Sequence, residues 1–143
     1  MASLKAKLYA SASANAGLRA LLLDGSTFQW GDTQLPQQWN LTTKSAVVAF
    51  TVSDVPDYIA LGPMNTGWSR VQLTVFGHGN DSENATVVVN AIASWLLTLF
   101  LTQTPQQAAN FIVGNRDGGL ADTQPLTYQR FVDIMVFSDS SIP

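Results

Sequence analysis

Cysteine is absent from the 143 residues, which excludes disulfides, cysteine nucleophiles and thiolate metal sites. Histidine is nearly so: His78 stands alone, and any metal site built on it would have to be completed by carboxylates. Charge is scarce as well, at 12% of residues against about 25% in an average soluble domain. Ser, Thr, Asn and Gln fill the difference, since the hydrophobic share of 46% is ordinary. Interface cores are depleted of charge, so the composition has two readings: a sparsely charged monomer, or a subunit whose surface is covered by neighbours.

The seven basic residues (Lys5, Lys7, Arg19, Lys44, Arg70, Arg116, Arg130) are scattered in a chain of net charge −3, which argues against duplex binding through phosphate neutralisation. The long apolar run at residues 85–101 reads as a buried helix rather than a membrane span. Residues 85–101 are interrupted by Asn90, Ser94 and Thr98 and fall short of the roughly 20 apolar residues a bilayer needs. The stretch after Lys5 and Lys7 is too polar for the apolar region of a secretory signal. A single domain over residues 1–143 with no membrane partner is the expectation.

What is present is organised around one unit. From Trp68 the sequence alternates, with Val71, Leu73 and Val75 on one side and Arg70, Gln72 and Thr74 on the other, the period of a half-buried strand. Gly77 and Gly79 end it. Asn80 followed by Glu83 has the spacing of a capping box, and Ala85, Val88, Val89, Ile92, Leu96, Leu99 and Phe100 then recur at helical spacing. The pattern predicts strand, tight turn and capped helix, with the helix lying on a sheet.

Upstream, residues 3–23 read as helical, in one piece or in two because Asn15 and Gly17 weaken the middle, with Leu4, Leu8, Leu18, Leu21 and Leu22 facing inward and Gly25 closing the stretch in the left-handed C′ position. Residues 26–45 read as a long connection carrying Trp30 and Trp39, which either pack over the edge of the core or contact a neighbouring subunit. A second strand, apolar on both faces, covers 46–52. The Pro- and Gly-punctuated stretch 54–66 around Tyr58, Ile59 and Leu61 reads as a long hairpin arm.

Downstream, residues 108–113 read as a short strand, 114–119 as a glycine-rich turn, and 126–137 as the last strand, with a polar, loose tail at 138–143. On the last strand Asp133 shares a face with Phe131, Met135 and Phe137. A carboxylate in such company needs a partner, and Arg70 is the candidate for a structural ion pair. The fold class expected from this order is α+β: a mainly antiparallel four-stranded sheet with helices packed on one face and a long hairpin arm.

Catalysis needs a nucleophile or tuned proton carrier beside an orienting group. Ser82 and Asp81 lie near His78 in sequence, but no motif spacing joins them. No nucleophile elbow, dinucleotide fingerprint or phosphate loop is present, and the turn at 114–119 lacks the Gly-Lys-Ser/Thr ending and the spaced acidic ligands of phosphate and calcium loops. The residues point away from an enzyme; no catalytic residue, cofactor or metal is expected.

The order of segments carries a resemblance. A leading helix, a long loop, an apolar strand, a Pro/Gly-rich arm, Arg-Val-Gln-Leu-Thr-Val-Phe-Gly from Arg70, the helix at 85–101 and the closing Tyr-Gln-Arg-Phe-Val-Asp-Ile-Met-Val-Phe from Tyr128 resemble the tail-terminator, or tail-completion, proteins of tailed bacteriophages. The similarity spans residues 18–138 and lies in segment order and strand texture. It implies a small α+β subunit that assembles with copies of itself, typically as a hexameric ring. Such a ring caps the tail tube, meets the tail-tube protein and the head-completion or neck adaptor proteins, and lets DNA pass through its lumen without sequence recognition.

Such a ring forms in the host cytoplasm and ends in the virion. Trp30, Trp39, Tyr58, Ile59, Leu61 and Trp68 are the expected subunit-interface anchors, because aromatic residues dominate interface energetics. The competing readings are a portal-binding head-completion adaptor, a monomeric binding module using the arm or the Trp-bearing loop, and an enzyme centred on His78.

Overall fold

The computed structural model describes residues 4–36, 38–55, 68–101, 111–123 and 125–136. Two helices open the chain, α1 (Leu4–Ser13) and α2 (Ala16–Leu22). Of the two readings of residues 3–23, one helix or two pieces, the structure has two: the Asn15 side chain accepts from Leu18 N at 3.1 Å and caps α2, so a residue that weakens a helix interior starts a new helix. Gly25 has positive φ, yet it turns a small antiparallel ribbon of β1 (Leu23–Asp24) and β2 (Thr27–Phe28) rather than closing the helix.

The main sheet has five strands in the order β3 (Trp30–Asp32), β4 (Ala46–Val55), β5 (Trp68–Gly77), β7 (Thr127–Val136) and β6 (Phe111–Ala121). It is mixed, because β3 runs parallel to β4 while the other pairs are antiparallel. The expected four-stranded, mainly antiparallel sheet is thus corrected to a five-stranded mixed sheet with a separate two-stranded ribbon. The cause lies in residues 26–45, read as a connection. Strands of two or three residues are too short to carry a period-2 signal, and their register is set by tertiary pairing.

The second correction concerns β6, which runs straight through the predicted turn at 114–119. Its register against β7 shifts between Ile112 and Gly114 and again between Asp117 and Gly119, so the glycines serve bulges within a strand. Gly119 has φ of 70°, and a Cβ on Gly118 would stand 2.6 Å from the Phe131 ring.

β4 and β5 pair out to Val55 and Trp68, with one irregularity between Thr51 and Ser53. The connecting residues 56–67, with Tyr58, Ile59 and Leu61 of the predicted arm, lie outside the described residues, as does the tail at 138–143.

After β5 a 3₁₀ turn (His78–Asn80) leads into α3 (Ser82–Leu101). Asp81, not Asn80, is the cap: its Oδ1 accepts from Glu83 N at 2.9 Å. The helix approaches the end of β5 so closely that a Cβ on Gly77 would meet Ala85 N at 2.5 Å. Ala85, Val88, Val89, Ile92, Trp95 and Leu96 are buried against Val71, Leu73 and Val75 of β5 and Val132 and Ile134 of β7, in one cluster that also takes Val47 and Ala49 of β4 and Leu8, Leu18 and Leu22 of the first two helices. Each such side chain contributes about 1.5–3 kcal/mol on burial. All three helices therefore share one face of the sheet. No helix among the described residues is long and apolar enough to cross a membrane.

Candidate interaction face

Alternation along the strands sends the remaining side chains to the opposite face. Its end near Gly77 carries a second apolar cluster, with Ala46, Val48, Phe76 and Ala121 covered by Leu41 and by the half-buried Leu35 and Trp39 from the segment after β3. That segment is held by Gln29, which is buried. Gln29 Nε2 donates to the Asn40 and Ser45 carbonyls at 2.9 and 3.0 Å, and its Oε1 accepts from Asn40 N at 2.8 Å. A buried amide with every partner in place fixes a loop, whereas an unpaired one would cost about 1–3 kcal/mol.

Further along this face the strands set out a polar row. Phe50 of β4 stands opposite Gln72 of β5, Gln72 opposite Asp133 of β7, and Asp133 opposite Gly114 of β6. In the next row Thr74 faces Phe131, which faces Arg116. Asp133 is buried, although no described helix covers it. Two guanidiniums reach the same carboxylate oxygen: Arg70 Nη2 at 3.2 Å and Arg116 Nη1 at 3.1 Å from Oδ2. Arg116 also lies over the Phe131 ring, 5.0 Å from its centroid, a cation–π contact that fixes its plane.

Sequence reasoning named Arg70 as the partner of Asp133 and missed Arg116. No alternation marks the stretch around Arg116, and Gly114, Gly118 and Gly119 give it the composition of a turn. Two cations on one carboxylate leave an excess of one positive charge. Arg70 Nε is enclosed without a hydrogen bond, while the side chains of Arg70 and Arg116 stay 40% and 55% exposed. Phe50, 46% exposed, borders the cluster. The patch is thus a preorganised, fork-shaped cation flanked by an aromatic ring, able to receive an oxyanion bidentately.

The expected interface anchors are dispersed. Trp30 is 5% exposed and belongs to the chain's own core, in a run of rings from Tyr9 through Phe28 and Trp30 to Trp95 with centroids 5.9, 6.2 and 5.7 Å apart. Of the two readings of Trp30, packing on the chain's own core is the one its burial fits, because residues 26–45 contain a strand that places the ring against Trp95 of α3. Trp39 lies over Gly31, where a Cβ would meet its ring at 3.2 Å, and covers the apolar end of the open face. Trp68 begins β5.

His78 takes a local structural part. Its Nδ1 is 2.8 Å from Ser45 Oγ, and Ser45 Oγ accepts from His78 N at 3.1 Å, tying the start of β4 to the end of β5. Ser45 is buried, so its hydroxyl is poorly placed to meet a substrate. Among the described residues no group of three or more His, Asp or Glu side chains is placed to hold a metal ion.

At the β6 edge, Tyr128 Oη donates to Asp117 Oδ2 at 2.6 Å and Gly119 N donates to Asp117 Oδ1 at 2.8 Å. The tyrosine bond, with help from the amide, holds the Asp117 carboxyl below its ordinary range, and the same bond raises the Tyr128 phenol. No protein-family model and no curated protein matches the chain.

Proposed function

We propose that this chain is a ring-forming structural subunit of the neck of a tailed bacteriophage, capping the tail tube and joining it to the head. The observation that carries the reading is the resemblance of segment order and strand texture over residues 18–138, from the leading helix to the Tyr128 strand. The fold lends it support in one respect. The helices are gathered on one face of the sheet, and half of the other face is a polar and aromatic surface with no described cover, as a subunit that meets neighbours requires.

The mechanism is geometric rather than chemical. A ring closes when one patch on each subunit meets a different patch on the next, with a rotation that returns to the start. Its partners are further copies of the chain, typically six, the tail-tube protein below and neck adaptor proteins above, and its place is the virion. DNA crosses the lumen without being read. The scattered basic residues suit that passage, because a lumen that gripped phosphates would hinder it.

Native mass of the purified chain, alone and mixed with tail-tube protein, tests the proposal. A species near six times 15.4 kDa, formed alone or on the tube, is the expected result. A monomer under both conditions would sink it, and a twelve-fold ring with preference for portal protein would move the chain to the adaptor position.

A further inference from the structure

We infer that the Arg70–Asp133–Arg116 cluster on the open sheet face is a docking site for the acidic start of α3, Asp81 and Glu83, on a second copy of this chain. The inference deepens the ring reading and rests on it. The cluster carries two guanidiniums on one carboxylate oxygen, at 3.2 and 3.1 Å, and so holds one positive charge in excess among the described residues. Asp133 and the Phe131 ring hold the guanidinium of Arg116 in place, so little freedom is lost when an oxyanion arrives.

The choice of occupant follows from charge and distance. Asp133 is engaged by the two arginines and Asp117 by Tyr128; Asp81, whose Oδ1 caps the helix, and Glu83 are neighbouring, exposed acids that present two carboxylates on one turn, as the separate Asp32 and Asp122 do not. They cannot reach the cluster of their own chain. Asp81 and Glu83 open α3 on the helix-covered face, whereas the cluster lies on the opposite face of the sheet. A cationic patch and an anionic patch on different faces of one subunit are what a head-to-tail contact between copies uses. Nucleic-acid phosphate is the weaker occupant, because the net charge of −3 repels a polyanion and the cluster offers only one surplus charge.

Charge reversal tests the pairing, with self-association followed by sedimentation as a function of concentration and fold checked by circular dichroism. Glu83→Arg, at an exposed position, and Arg116→Glu are each expected to weaken association about tenfold or more, and the combined variant to recover it. Should Arg116→Glu fail to fold beside Asp133, the Asp81→Asn/Glu83→Gln variant supplies the same test from the exposed side, with the same tenfold loss expected.

Assembly of wild type and single variants alike would overturn the pairing while leaving the ring reading intact, as would single variants that weaken association without mutual rescue. Binding of an oligothymidine probe that Arg116→Glu abolishes, with association unchanged, would assign the cluster to phosphate and also overturn it. A wild-type chain that stays monomeric alone and with tail-tube protein removes both readings.

Discussion

Beneath α3, strands β5 and β7 present Val71, Leu73, Val75, Val132 and Ile134, all buried; one position along, the same strands present Gln72, Thr74, Phe131 and Asp133 to the other face. The first face is closed by helices and its stability is apolar area removed from water. Among the described residues the second is closed only at the end covered by Trp39 and Leu41, and beyond that it buries a carboxylate beneath two arginines. A strand pair can thus serve both core and surface. Adjacent residues face opposite environments, and what covers each side decides the chemistry that suits it.

The difference should appear most strongly in truncations. Ile92→Ala removes a side chain from the closed face at full burial and should cost about 2–5 kcal/mol, measured by denaturant unfolding. A loss below about 1 kcal/mol would mean that the helix layer packs far less tightly than described. On the open face, Asp133→Ala removes the anion from under Arg70 and Arg116. Because both guanidiniums are substantially exposed and free to turn to water, the loss should be smaller, about 1–2 kcal/mol. A loss as large as that of Ile92→Ala would show the arginines to be trapped, erasing the contrast between the faces.

The smallest effect belongs to the edge. Because its carboxyl value is lowered on folding, Asp117 contributes stability above its unfolded value of about 3.9, lost as pH falls through the folded value. Tyr128 has a raised value, so its contribution is present below about 10 and lost as pH rises through the folded value. Tyr128→Phe should therefore lower the neutral plateau of Tm slightly and converge with the wild type at acid and alkaline extremes, which flattens both limbs. An unaltered profile would mean that the exposed bond contributes nothing in water.

Parts of this were legible before any coordinates. The alternation at 71–75 identified β5 and its buried side, the recurrence from Ala85 to Leu96 identified α3, and the unsuitability of a lone carboxylate among Phe131 and Met135 pointed Asp133 toward Arg70. Arg116 was hidden because glycines at 114, 118 and 119 have the composition of a turn. Composition alone does not distinguish a turn from a bulged strand when β7 supplies the pairing. Trp30 was left between core and interface for a related reason: β3 has only three residues and exists because β4 is beside it.

By itself, then, the sequence determined what local periodicity and composition can encode: the long elements, their apolar sides, the exclusion of cysteine chemistry and the need of Asp133 for a cation. Tertiary structure decided the rest. The parallel placement of β3, the bulged course of β6, the burial of Trp30 and the meeting of Arg70 with Arg116 depend on contacts between segments far apart in the chain. Such contacts leave no periodic trace, because their energy is shared by residues that only the closed sheet brings together.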